Sequence, residues 1–227
     1  MSEFHVFDVQ QLAQADAGLK RDLCEAVAKT GFFYIKNHGI SQKEIDDMFK
    51  LEFVYMDKRN GIPGVLTYGS SSSLEFFMVV FDPCRGQARL LPSFLKKKQE
   101  VLESFEKKCA KAGRLVLDGL VAALGINSSY TALITKLYSS YLELIKCGPR
   151  KSESARMGGQ VYNMSGDFSG LQVDASTTYG SWKDACIKPG CIMVNIGNAF
   201  KNAYPAKAKA CYHRVASPKD YYKGFDR

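Results

Sequence analysis

CIMVNIGNAFKNAYPAKAKACYHRV, residues 191–215, carries the strongest structural pattern in the chain. Ile192, Val194 and Ile196 alternate with Cys191, Met193 and Asn195, the two-residue period of a strand whose two faces meet different surroundings. Lys188-Pro189-Gly190 makes the turn into this strand, and Gly197-Asn198 ends it. A second segment then carries His213-Arg214-Val215.

Working outward, FHVFDVQQL at the N-terminus predicts a short strand running into a turn. Leu19, Leu23 and Val27 lie on one helical face between residues 19 and 30, and Gly31 stands where a helix end needs a left-handed residue. Phe32 to Ile35 is aromatic and β-branched, hence a strand, and Asn37-His38-Gly39 turns the chain. Ser41 with Glu44 forms a capping box for a helix with Ile45 and Phe49 on its buried side. Residues 57–93 read as irregular, with a serine run at 70–73. Leu102, Phe105, Cys109, Ala112, Val116 and Leu120 recur at spacings of three and four, so residues 100–124 form a long helix that Gly125 closes.

Hydrophobic residues make up 46% of the 227-residue chain and charged residues 24%, the composition of an ordinary globular protein with one well-buried core. No apolar run approaches the roughly 20 residues of a membrane span, and MSEFHVFDVQ lacks the regions of a signal peptide. Seven cysteines, Cys24, Cys84, Cys109, Cys147, Cys186, Cys191 and Cys211, form no CxxC pair, which points to reduced thiols and a cytoplasmic location. The net charge of +8 invites a nucleic-acid reading, but the lysines are dispersed and no aromatic platform accompanies them. Neither nucleic acid nor membrane is expected as a partner.

GFFYIKNHGIS at 31–41, YLELIKC at 141–147, GLQV at 170–173 followed by Trp182, and PG…VNIG with His213-Arg214-Val215 occur in this order. Together they resemble the isopenicillin-N-synthase-like branch of the Fe(II)/2-oxoglutarate-dependent oxygenases. The resemblance runs from about residue 20 to 215. It implies an α+β, mainly β fold: a distorted double-stranded β-helix, or jelly-roll, barrel with backing N-terminal helices, here shortened at the C-terminus. The expected organisation is one domain over 1–227, with an N-terminal α/β region (1–60), a variable loop (57–93), a long backing helix (98–126) and a barrel core (138–227).

The same resemblance implies two histidines and one carboxylate as iron ligands, from an H-x-D ahead of GLQV and the histidine of H-R-V. The chain has His5, His38 and His213, and none between 39 and 212. Depending on register, Ser154-Ala155-Arg156 or Gln160-Val161-Tyr162 occupies the H-x-D position. The R-x-S that the family uses for 2-oxoglutarate falls on Asp220 to Phe225, where Lys223 is the available cation. The expectation is therefore a protein of this fold that has lost Fe(II)/2-oxoglutarate chemistry and uses no cofactor, His213 being a vestigial metal ligand. It would act as a metal-independent catalyst of isomerase, cyclase or lyase type on a small molecule of secondary metabolism, or as a non-catalytic partner of a homologous oxygenase subunit. Tyr162, Tyr212, His213 and Lys223 are the candidate proton carriers, and Asn195 and Arg214 the candidate substrate-binding residues. A barrel lacking its last strand would leave an edge open to a homo- or hetero-oligomer. The alternative is an active non-haem Fe(II)/2-oxoglutarate-dependent oxidoreductase with an atypical ligand set, such as His213 with Asp167 and water.

Overall fold

The computed structural model describes residues 4–57, 65–67, 74–81, 88–89, 91, 93–127, 129, 141–147, 171–174 and 181–215. In chain order the elements are β1 (Val6–Asp8), α1 (Ala17–Lys29), β2 (Phe32–Lys36), α2 (Gln42–Asp57), β3 (Val65–Thr67), β4 (Leu74–Phe81), β5 (Ala88–Arg89), α3 (Ser93–Lys96) and α4 (Gln99–Leu124). They continue with β6 (Tyr141–Cys147), β7 (Leu171–Asp174), β8 (Trp182–Asp184), β9 (Cys191–Asn195), α5 (Asn198–Ala203) and β10 (His213–Val215). The chain divides into two compact units, one comprising Met1–Gly39, Ala112–Ser128 and Glu153–Ala216, the other Ile40–Lys111, Ser129–Ser152 and Ser217–Arg227.

The first unit holds two three-stranded sheets. In one, β2 lies between β1, parallel to it, and β9, antiparallel to it; in the other, β7 lies between β10 and β8, both antiparallel. Phe32 and Tyr34 of β2, Met193 of β9, Leu171 and Val173 of β7, Ala185 and Cys211 form one core cluster drawn from both sheets. The alternation of β2 turns Phe33 and Ile35 the other way, and these too are buried, Phe33 against the ring of Phe7 at 5.5 Å. A strand buried on both faces reads as the continuous run FFYI instead of alternating.

α1 starts at Ala17, earlier than its apolar spacing alone suggests, because the Asp16 carboxylate accepts from the Leu19 amide (2.8 Å) and caps the first turn. It ends on Gly31, whose φ of +66° is the left-handed conformation expected there. That glycine has a second reason: a Cβ built on it would meet the Lys209 carbonyl oxygen at 2.0 Å. The backbones are tied at this crossing by Lys209 N–H to Val27 O (3.0 Å) and Ile196 N–H to Gly31 O (2.8 Å). The C-terminal part of α4 buries Ala112, Val116 and Leu120, and Gly119 lets the helix approach Leu12 closely. Lys207 donates its ammonium to the Leu124 carbonyl at the helix C-terminus.

In the second unit, α2 opens with the capping box read from sequence: Ser41 N–H donates to the Glu44 carboxylate (3.0 Å) and Glu44 N–H to the Ser41 hydroxyl (3.3 Å). The Lys108 ammonium joins the same carboxylate, and these bonds, Lys108 first, hold the Glu44 carboxyl down to about 2. Ile45 and Met48 form the buried side of α2, while the side chain of Phe49 lies outside the described residues. The segment 57–93 is not irregular throughout as expected, for it contains β3, β4 and β5. LEFFMVVF is a β-branched and aromatic run whose strand preference operates whatever serines precede it. β4 is the centre of its sheet, pairing with β6 along 74–80 on one side and with β3 and β5 in turn on the other. Among the described residues no helix is long and apolar enough to cross a membrane.

Candidate functional site

The site is built on the short ladder between β7 and β10. His213 stands directly opposite Val173, and Val215 opposite Leu171, so the imidazole shares the face of two core residues. Phe32 reaches it from the other sheet, the two rings 5.8 Å apart and nearly edge to face (67°). Asn195 stands opposite Phe32 in the β2–β9 ladder and is also buried. Two strands from opposite ends of the chain, residues 32–36 and 213–215, therefore meet at one imidazole.

His213 is 4% exposed. Its Nδ1 lies 3.3 Å from the Cys211 carbonyl oxygen. A carbonyl oxygen only accepts, so Nδ1 carries the proton and the ring lone pair sits on Nε2. Burial holds the imidazole below its ordinary value of 6.5, with the Cys211 bond opposing. The group is thus a neutral imidazole with its tautomer set by a backbone partner, the form in which histidine binds a metal.

The other two histidines are elsewhere. His38 is buried in the turn after β2, and its Nε2 donates to the Gly190 carbonyl (3.2 Å), fastening that turn to the turn before β9. Its imidazole is likewise held below 6.5 by burial. His5 stacks on Phe7 at 5.6 Å beside β1. Among the described residues no group of three His, Cys, Asp or Glu side chains is arranged to hold a metal.

Of the remaining residues singled out from sequence, Tyr212 is 41% exposed, one position from His213 and so turned the other way along the strand. Arg214 is at the register position opposite Gln172. Tyr162, Lys223 and Asp167 lie outside the described residues, as do both alternative H-x-D registers and the window 220–225. Sequence reasoning missed two buried residues at the junction of β7 and β10. Cys211, 7% exposed, donates its thiol to the Asp174 carbonyl oxygen (2.7 Å), and Asp174 N–H donates to the Tyr212 carbonyl (2.9 Å). Asp174 is itself 3% exposed. An acidic residue directly after the strand-like GLQV was the available signal. In the β7–β10 ladder Asp174 is one position beyond Val173, the residue opposite His213.

Residues 4–52 match the family model described as non-haem dioxygenase in morphine synthesis, N-terminal. Gibberellin 20 oxidase 5 of Arabidopsis thaliana is 25% identical over 154 residues, covering 60% of this chain and 39% of the relative. Gibberellin 20 oxidase 2 of Oryza sativa subsp. indica is 22% identical over 252 residues, covering 92% of this chain and 62% of the relative. The chain thus spans less than two thirds of the length of these curated relatives. The dioxygenase for auxin oxidation 1 of Arabidopsis thaliana, solved as its 2-oxoglutarate complex, superposes with a TM-score of 0.68 at 16% identity, covering 95% of this chain and 88% of that one. That last likeness is one of fold. The resemblance to the Fe(II)/2-oxoglutarate-dependent oxygenase superfamily stands on these matches. The expectation of no cofactor does not stand: a non-haem dioxygenase family model and a fold relative holding 2-oxoglutarate point to Fe(II) and 2-oxoglutarate instead.

Proposed function

We propose that this chain, similar in sequence and fold to the Fe(II)/2-oxoglutarate-dependent oxygenases, is a non-haem oxidoreductase of that class with an atypical ligand set. The observation that carries the reading is His213: buried, neutral, and with its Nδ1 proton committed to the Cys211 carbonyl. This suits Nε2 for one coordination position. The described residues fit one imidazole ligand and do not complete the set. The sequence offers Asp167 as the carboxylate, with water in place of a second histidine. The metal and co-substrate, when bound, supply oxidation by dioxygen coupled to decarboxylation of the 2-oxo acid.

The chain's own residues would hold and shield these groups. The Phe32 edge and the apolar cluster around Val173 and Met193 keep water from the inner side of the imidazole. Asn195, buried opposite Phe32, is the proposed substrate-binding residue on β9. Lys223 is proposed to pair with the distal carboxylate of 2-oxoglutarate, as a point charge in place of a bidentate arginine. Tyr162 and Tyr212 remain proposed proton carriers.

The test is anaerobic titration of the full chain with Co(II), then with 2-oxoglutarate, alongside an assay for Fe(II)-dependent succinate. Metal-dependent 2-oxoglutarate binding that His213→Ala weakens at least about tenfold is expected. Metal binding indifferent to His213→Ala, or succinate no greater than in a no-enzyme control, overturns the reading. The absence of histidine between 39 and 212 would then favour a non-catalytic partner of a homologous oxygenase, testable by co-purification with that subunit.

A further inference from the structure

We infer that Phe4 is a displaceable plug: its ring occupies a preformed socket on the core cluster of the first unit, and the ring of a small aromatic molecule takes its place when the segment ahead of β1 swings out. The socket is the ground between Phe32 and Tyr34, which project from the same face of β2. The Phe4 ring lies 6.4 Å from the first and 6.3 Å from the second, inclined at 45° and 61°, and so leans on both at once. Phe32 and Tyr34 are buried in the cluster, whereas Phe4 is only partly so.

The floor of the socket keeps its shape without Phe4. Phe32 meets the His213 ring at 5.8 Å, the Tyr34 hydroxyl donates to the Cys186 carbonyl, and the Lys188 ammonium lies 5.3 Å from the Tyr34 ring centroid. The plug is held by less. β1 pairs with β2 through three residues and, among the described residues, has a strand on one side only. Its anchor is Phe7, buried on the opposite face against Phe33 at 5.5 Å, together with Val9 N–H to Lys36 O (3.1 Å). Val6, paired with Tyr34 and so on the face of Phe4, is 39% exposed. Between anchor and plug stands one backbone bond, Tyr34 N–H to His5 O (2.8 Å). A pivot at His5 therefore frees Phe4 while Phe7 keeps β1 in place. The vacated floor offers two aromatic rings, whose quadrupoles favour another aromatic ring over a saturated one of the same size.

The test titrates the full chain with p-cresol and with 4-methylcyclohexanol, its saturated counterpart, and follows amide hydrogen exchange at saturation. The parent is expected to bind p-cresol about tenfold more tightly than the saturated ring. Exchange at the Tyr34 amide should quicken as its bond to His5 opens, while the Val9 amide, on the anchored side, keeps its rate. Phe4→Ala is expected to bind p-cresol at least about tenfold more tightly than the parent, because the socket is then always open. Phe4→Trp, a larger plug, should bind it more weakly, and Phe4→Leu replaces the alanine variant if that fails to fold. Equal affinity of the parent and the opened variant overturns the inference, as does p-cresol binding that leaves Tyr34 exchange unchanged. Equal affinity for the two probes, or no saturable binding by the parent, overturns it too.

Discussion

Replacing Gly31 by alanine should be among the most damaging single-methyl additions in the first unit. At φ +66° a side chain bearing Cβ costs about 1–2 kcal/mol against the left-handed conformation. The new methyl would also lie 2.0 Å from the Lys209 carbonyl oxygen, a backbone atom with no rotamer to yield. Relief requires the two segments to part, which endangers Lys209 N–H to Val27 O and Ile196 N–H to Gly31 O, each contributing about 1 kcal/mol. The combined loss is about 3–4 kcal/mol, which at about 2–4 °C per kcal/mol for a chain of this size lowers the melting temperature by about 10 °C. Gly125→Ala is the internal control, with φ +61° and, among the described residues, nothing within 4 Å of the added methyl, so the conformational cost of about 1 kcal/mol is what remains. Calorimetric melts of both variants measure the difference. Equal losses would refute the reasoning, for they would mean that the Lys209 backbone yields without cost and the crossing imposes no constraint.

Stability should fall on mild acidification. His38 and His213 are held below 6.5 by burial, so the fold binds fewer protons than the unfolded chain; their contribution is full above 6.5 and declines as pH falls below it. Glu44, held down to about 2, keeps its contribution until pH falls below its ordinary 4.5, and so does not disturb this window. The urea midpoint should therefore be lower at about pH 5 than at about pH 7.5, and the gap should narrow in His38→Gln; a midpoint independent of pH between these values would contradict the buried-imidazole account. Thiol labelling of the native chain should reach the exposed Cys186 well before Cys109, whose thiol burial pushes up to about 12, or Cys211, which burial also pushes up. Mass spectrometry after brief alkylation reports the order, and early modification of Cys109 would show that the middle of α4 opens readily.

Features settled within one turn or one strand are legible from the residues alone. The capping box at Ser41 and Glu44, the left-handed Gly31, the period of β9 and the spacing of Leu102 to Leu120 are local choices, each legible from neighbouring residues. LEFFMVVF is equally local, and the serine run before it is all that obscures β4 in the sequence. Which residues stand opposite one another is fixed by contacts between segments far apart in the chain. Nothing near His213 in sequence says that Phe32 will close over it, that the Cys211 thiol will find Asp174 across the ladder, or that the Lys209 carbonyl will cross at Gly31. The neutrality and tautomer of His213 follow from those long-range encounters, because desolvation and hydrogen bonding are set by the groups around an atom in space. A motif can name the imidazole, but only the packed sheets determine which nitrogen holds its proton.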